Sequence, residues 1–343
     1  MTTDTPALAP VRFGVLGASK IGREKVIPAM RASPLCEVVA IASRDEARAR
    51  AEAEALGIAR SYGSYEALIA ADDVEAIYIP LPNHLHVPYT LAAARAGKHV
   101  LCEKPIARDA AEAQALLDLP PGPIVAEAYM IRHHPQWQRA RALIAEGAIG
   151  RPTHVHVSFS FFNRDPANIR NRLDLGGGAL LDIGGYAIMS ARLLLDADPV
   201  RALAVIDRDP GSGIDREVGG LVDFGAGRRL SFAVGTQRAP GQWVRVEGEE
   251  GELVLDALPF NARPDVANRI VIVRGGAERV IEIAPADQYR LQAEAFCRAV
   301  RGEPAARDAL TGVDSALVTL RTIDALFLSE RTGAFEAIGS AAR

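Results

Sequence analysis

The feature that most constrains this chain is a regular alternation between residues 11 and 128. Val11–Leu16, Glu37–Ser43, Glu75–Pro80, His99–Cys102 and Ile124–Ala128 are short, mostly apolar and β-branched-rich runs. Helix-forming stretches lie between them: Ser19–Ala32, Asp45–Leu56, Tyr65–Ala70, His84–Ala96 and Asp109–Leu117. Strands that lack a polar face must be covered on both sides. Repeated strand–helix units satisfy that requirement with a parallel sheet layered between helices. Gly57 and Gly97 stand where two of the helices should stop.

After Gly150 the pattern changes. Thr153–Phe162 alternates as a long strand, and Ala179–Leu195 reads as an apolar helix. Arg201–Ile206, Gly219–Phe224, Leu230–Val234, Trp243–Glu247, Glu252–Leu255, Ile270–Val273 and Arg279–Ile283 follow as strands, many separated by Gly-containing turns. Two helices close the chain, Gln288–Arg301 and Leu310–Ser329. The expected class is α/β. A doubly wound parallel sheet covers about residues 10–130. A second α/β domain with a large open, mostly antiparallel sheet covers 131–343. Residues 128–150 should form a packed helix and not a tether. The open sheet would leave one face bare, so a homodimer or homotetramer through that face is expected.

Composition removes several function classes. The 343 residues carry 39 basic and 43 acidic side chains, a formal net charge of −4, which disfavours a nucleic-acid partner. Cys36, Cys102 and Cys297 fit neither a zinc spacing nor a disulfide framework, which points to a reducing cytoplasm. Residues 1–10 lack the basic and apolar regions of a signal peptide. No apolar run approaches the roughly 20 residues of a membrane span. The pairs His84/His86 and His154/His156 have no carboxylate or third histidine at ligand spacing, so no metal is expected.

The turn Gly17-Ala18-Ser19-Lys20-Ile21-Gly22 follows the first strand and opens a helix. That is the setting in which backbone N–H groups cradle a pyrophosphate. Gly17 permits the tight turn, Gly22 permits close helix–strand packing, and Ser19 replaces the middle glycine with a small hydroxyl. The second strand ends in Ser43 and Arg44, with Arg48 one turn further on. An acidic residue there would bond a ribose 2′-hydroxyl; a hydroxyl and two guanidiniums suit a 2′-phosphate, hence NADP(H) over NAD. The alternative for Arg44 and Arg48 is a solvated helix face. Asp45 should cap the helix. Pro80-Leu81-Pro82-Asn83 makes a rigid turn at a strand's carboxyl end, where a nicotinamide ribose would lie. In Gly176–Tyr186, Asp182 and Tyr186 are four apart and share a helix face.

These segments, together with Ala96–Val100 running into Glu103-Lys104-Pro105, Glu127–Met130 with Arg132 and His134-Pro135, and Gln288-Tyr289, resemble the Gfo/Idh/MocA family. Glucose–fructose oxidoreductase and inositol dehydrogenase typify it. The resemblance spans roughly residues 11–330. It implies a Rossmann domain and a Lys104 beside the nicotinamide C4 and the reacting oxygen, where its charge would lower a neighbouring phenol's pKa. It implies that Glu103 contacts the nicotinamide ribose and that Lys104-Pro105 is cis. Asp182 would bond a sugar hydroxyl and Tyr186 would act as general acid/base. His86, Arg170 and Tyr289 would be cofactor or substrate contacts. Tyr186 stands where inositol dehydrogenases have histidine. This places the chain nearer the glucose–fructose oxidoreductase, dimeric dihydrodiol dehydrogenase and NADP-dependent xylose dehydrogenase branch.

The expected activity is hydride transfer between NADP(H) and C1 of an aldose, as in a D-xylose or D-glucose 1-dehydrogenase. An aldose–aldose or glucose–fructose oxidoreductase with tightly held NADP, a 1,5-anhydrofructose-type reductase and a trans-dihydrodiol dehydrogenase are alternatives within the enzyme reading. A non-catalytic NADP-responsive regulator, like the yeast galactose repressor, is the alternative of another class. About ten residues precede the first strand, whereas exported glucose–fructose enzymes carry a leader and a cofactor-trapping arm; exchangeable NADP is expected.

Overall fold

A computed structural model describes residues 8–339. The leading segment, whose shortness underlies the expectation about cofactor exchange, lies largely outside the described residues, as do residues 340–343.

The first sheet is built from β1 (Val11–Leu16), β2 (Cys36–Ala42), β3 (Arg60–Tyr62), β4 (Ala76–Ile79), β5 (His99–Cys102) and β6 (Val125–Glu127). In space they run β6-β5-β4-β1-β2-β3, all parallel. In the apolar runs most side chains are buried on both faces, Arg12 and Glu37 excepted, while the short β3 is half-buried. The strand β3 was not anticipated: Arg-Ser-Tyr has no apolar periodicity, and only pairing with β2 defines it. The order reverses between β1 and β4, which opens a crevice over their carboxyl ends. Gly17, Ser43, Pro80, Glu103 and Ala128 all follow directly on strand ends at that edge.

The second sheet has nine strands. They are β7 (Pro152–Phe162), β8 (Arg201–Arg208), β9 (Asp215–Asp223), β10 (Arg229–Gly235), β11 (Gln237–Gly248), β12 (Gly251–Leu255), β13 (Asn268–Arg274), β14 (Ala277–Ile283) and β16 (Glu336–Ala337). Their order is β14-β13-β12-β11-β7-β10-β9-β8-β16. Every pair is antiparallel except β7 with β10. One face carries Val155, Val157, Leu230, Phe232, Val244 and Val246, all buried. Among the described residues no helix lies on the other face, which carries His154, His156, Trp243 and Arg245, all partly or largely exposed.

The chain does not leave the first sheet for good at residue 130. Strand β15 (Thr311–Gly312) pairs with β6, and helix Gln288–Val300 packs beneath β1 and β2. Phe296 meets Phe13 at 5.8 Å between ring centroids. The Sγ atoms of Cys36 and Cys297 lie 3.3 Å apart, a contact that their distance in sequence hides. The range 131–343 is corrected accordingly: this helix covers a face of the parallel sheet that would otherwise be bare.

The membrane expectation also needs correction. Residues Leu173–Leu195 are long and apolar enough to span a bilayer by length and composition, but 83% of the apolar window is buried inside the protein. Most of the helix within this run is apolar because the fold buries it; Asp182 and Arg192 are its charged residues.

Candidate active site

The first turn has the geometry the sequence asks for. Gly17 adopts φ +88°, and a Cβ there would press on Leu81 at 2.9 Å. The helix over residues 20–31 begins at once, with the Ser19 hydroxyl accepting the Gly22 N–H at 3.1 Å. A Cβ on Gly22 would meet Ser19 and Pro80, so the two βα turns are packed together. Lys20 is exposed and Ile21 is half-buried. Beyond β2, the buried Ser43 hydroxyl accepts from Asp45 N–H, and Asp45 accepts from Arg48 N–H as the expected helix cap. Arg44 and Arg48 are exposed, and no carboxylate among the described residues pairs with their guanidiniums. These residues fit a phosphorylated dinucleotide: a Gly-hinged turn under a helix N-terminus and two uncommitted cations beside it.

The reacting end is assembled from opposite sides of the crevice. Lys104 leaves β5 through a cis bond to Pro105. Its Nζ donates to the Asp182 carbonyl at 2.6 Å and to Asp182 Oδ1 at 3.1 Å. Arg170 Nε donates to the other carboxylate oxygen, Oδ2, at 2.7 Å. Burial pulls the Asp182 carboxyl up, but Lys104 and Arg170 outweigh it and hold the group at about 2. The helix over 179–195 opens with a π-helical turn, Leu180–Gly184, so Asp182 sits in the widened part and Tyr186 just after it. Such turns concentrate at functional sites. Lys104 touches both residues: its Nζ lies 4.9 Å from the Tyr186 ring centroid.

The expected effect of Lys104 on Tyr186 is corrected. The cation sits over the ring, and the hydroxyl meets Met130 Sδ at 3.2 Å. Burial therefore dominates and pushes the phenol well above its ordinary pKa. Tyr129 and Phe159 pack edge-on against the same ring.

His86 is also corrected. It is buried, and its Nδ1 and Nε2 lie 2.7 Å from the carbonyls of Pro105 and Leu81. No ring nitrogen is left for a cofactor; His86 ties the Lys104-Pro105 bend to the Pro80–Asn83 turn. Asn83 crosses the crevice instead, its Nδ2 donating to the Gly176 carbonyl at 2.8 Å. Glu103 accepts from the Tyr78 hydroxyl at 2.7 Å, and burial raises its carboxyl. Tyr289 stands at the start of helix Gln288–Val300, where burial and then the Glu103 charge raise its phenol. The expectation that no carboxylate accompanies the strand histidines is corrected as well: β11 brings Glu247 beside His154 and His156.

Residues 11–120 match the Gfo/Idh/MocA oxidoreductase family with an NAD-binding Rossmann fold, and residues 137–254 match the family's C-terminal domain. A D-xylose 1-dehydrogenase (NADP(+)) of Haloferax volcanii is 42% identical, over 94% of this chain and 98% of that protein. The chain belongs to the Gfo/Idh/MocA oxidoreductases. A dTDP-3,4-didehydro-2,6-dideoxy-alpha-D-glucose 3-reductase of Streptomyces violaceoruber is 40% identical, over 92% of this chain and 94% of that one. Among solved structures, a 3-ketoreductase from Actinomadura kijaniata in complex with NADP and TDP-benzene aligns with a TM-score of 0.86 at 31% identity. The alignment covers 93% of this chain and 98% of that one.

Two further residues of this Gfo/Idh/MocA site were assigned no role of their own from the sequence. Glu127 ends β6 and is buried; its Oε1 accepts the Ile106 N–H at 2.8 Å and its Oε2 has no partner. Burial, opposed by Ile106 and Lys104, raises its carboxyl to about 7. Asp215 opens β9 and accepts the Leu180 N–H at 2.6 Å, so it holds the first turn of the helix that carries Asp182. Burial raises it to about 6. A carboxylate closing an apolar strand was a legible cue for Glu127. Asp215 had none, because its partner is 35 residues away.

Proposed function

We propose that this chain is an NADP-dependent sugar oxidoreductase that exchanges a hydride with C1 of an aldose. The observation that carries the reading is the convergence of Lys104, Asp182, Arg170 and Tyr186 on one point at the carboxyl edge of the parallel sheet. NADP(H), when bound, supplies the hydride chemistry at the nicotinamide. Gly17, Ser19 and the helix start would receive the pyrophosphate, and Arg44 with Arg48 the 2′-phosphate. The relatives that bind NADP support this choice.

The side chains divide the remaining work. Asp182 stays ionised at every working pH and offers a fixed acceptor to sugar hydroxyls. Lys104 keeps a cation where an alkoxide would develop. Tyr186, protonated in its buried setting, would give its proton to the reacting oxygen in the reducing direction; in the oxidising direction it would take up the C1 hydroxyl proton as its own passes to solvent. Arg170 and His86 hold Asp182 and Lys104 in position.

The test offers purified protein D-xylose or D-glucose with NADP+. In parallel, it offers a nucleotide-linked 3-ketosugar with NADPH, because a relative at 40% identity is named as such a reductase. Reduction of NADP+ by a free aldose is the expected result. Consumption of NADPH with the nucleotide-linked ketosugar alone would replace the C1 assignment. Tight NADP binding without turnover on either arm would leave the regulator reading.

A further inference from the structure

The face of the second sheet turned away from Tyr186 carries a separate cluster. His154 and His156 are two apart on β7 and so point to one side. Their rings stack at 3.9 Å between centroids. Glu247 on β11 is the register partner of His154. One donor atom from each of the three residues lies within 4.8 Å of the other two.

Three observations mark this as a ligand set and not a solvated patch. First, both Nε2 atoms are buried, and among the described residues neither has a hydrogen-bond partner. Two buried ring nitrogens that make no hydrogen bond are costly unless something accepts their lone pairs. Second, His156 Nε2 lies 3.3 Å from Glu247 Oε1. A tetrahedral zinc with bonds of about 2.0–2.1 Å sets neighbouring ligand atoms roughly 3.3–3.4 Å apart. Third, His156 Nδ1 lies 2.7 Å from Ser231 Oγ on β10. With its proton on Nδ1, the ring donates to Ser231 and aims the Nε2 lone pair at the cluster. This is the outer-sphere bond that fixes a metal-binding histidine. Arg229, the register neighbour of His154, and Arg245, that of His156, flank the cluster and are exposed on the single chain.

We propose that His154, His156 and Glu247 bind one divalent transition-metal ion of the Zn2+ type, with water completing the shell. Two imidazoles and a carboxylate suit zinc better than the all-oxygen cations. The ion would pin β7 to β11 on the face of the sheet opposite Val155 and Val157. It takes no part in hydride transfer, because Val155 and Val157 separate it from the helix that carries Asp182 and Tyr186.

The test is calorimetric titration of chelator-treated, full-length protein with Zn2+, followed by Co2+ loading and visible absorption. One ion per chain is expected, with Co2+ bands of four-coordinate intensity. His154→Ala with His156→Ala should weaken binding by about 100-fold or more and abolish the bands. Glu247→Gln, at a half-exposed position that leaves the sheet intact, should weaken binding by about tenfold. His84→Ala serves as the control for adventitious histidine binding and should match the parent. Absence of stoichiometric binding would overturn the proposal, as would affinity unchanged in the Glu247→Gln and double-alanine proteins. In either case, His156 and Glu247 are neighbours across the β7–β11 register with no metal between them.

Discussion

At the scale of single residues, the site works by setting opposite charge states close together. Asp182 is kept ionised by two cations, while Glu127, near the same lysine, is raised to about 7 by burial. Lys104→Met removes the cation at similar length. Its expected effect is a fall in kcat/KM of about 10²-fold or more, with dinucleotide affinity kept within a few-fold. Tyr186→Phe should behave alike. Steady-state kinetics with fluorescence titration of NADPH checks both, and an unchanged kcat/KM in either would remove that residue from the chemistry. Glu127 gives a pH prediction. Its folded pKa lies above the unfolded value of 4.5, so the folded state binds this proton more tightly. The stabilisation is complete below about pH 4.5 and is lost as pH rises through about 7, a total of about 3 kcal/mol. Asp215, raised to about 6, has the same sign. Urea unfolding at pH 5 and pH 8 should show parent stability dropping by about 2–3 kcal/mol more than that of Glu127→Gln. Equal drops would show that Glu127 does not titrate in this interval.

Elements position these residues through contacts that only small side chains allow. Gly178 has φ +120°, and a Cβ on it would overlap the Asp215 carboxylate that holds Leu180 N–H. Gly178→Ala should therefore cost about 2–4 kcal/mol and reduce turnover, because the π-helical turn carrying Asp182 shifts with it. Gly219→Ala, in β9 with open space at its Cβ, should stay within about 0.5 kcal/mol of the parent. Comparable losses in both would mean that the Asp215 contact is not the cause. The same element shows what was legible beforehand. Three glycines before an apolar helix marked its start, and Asp182 and Tyr186 were readable as one face. The π-helical turn was not, because such a turn has no sequence period of its own. Strands with fully apolar runs were placed within a residue or two, whereas β3, β15 and β16 were missed because two or three polar residues become strand only by pairing. His86 was misread for a related reason: its motif position was visible, but the two carbonyls that occupy its ring come from segments brought together by the fold.

For the whole molecule, the uncovered face of the nine-stranded sheet is the largest unspent feature. Val205 is 79% exposed and Trp243 43% exposed, both on the side opposite the buried Ala204 and Val244. Antiparallel sheets tolerate water on one face when that face is polar. A bare tryptophan and valine among Leu221 and the central histidines are instead what an isologous interface between two copies would bury. We propose that two chains pack through this face, each β7–β11 region against its counterpart. Light scattering on a size-exclusion column should then give a multiple of the chain mass. Val205→Asp with Trp243→Asp should shift it to a single chain by burying charge in the contact, while circular dichroism stays unchanged because neither side chain enters the core. A parent protein that elutes at the mass of one chain at micromolar concentration would defeat the interface outright. A dimer untouched by the two aspartates would move it to another surface and leave the sheet face to solvent.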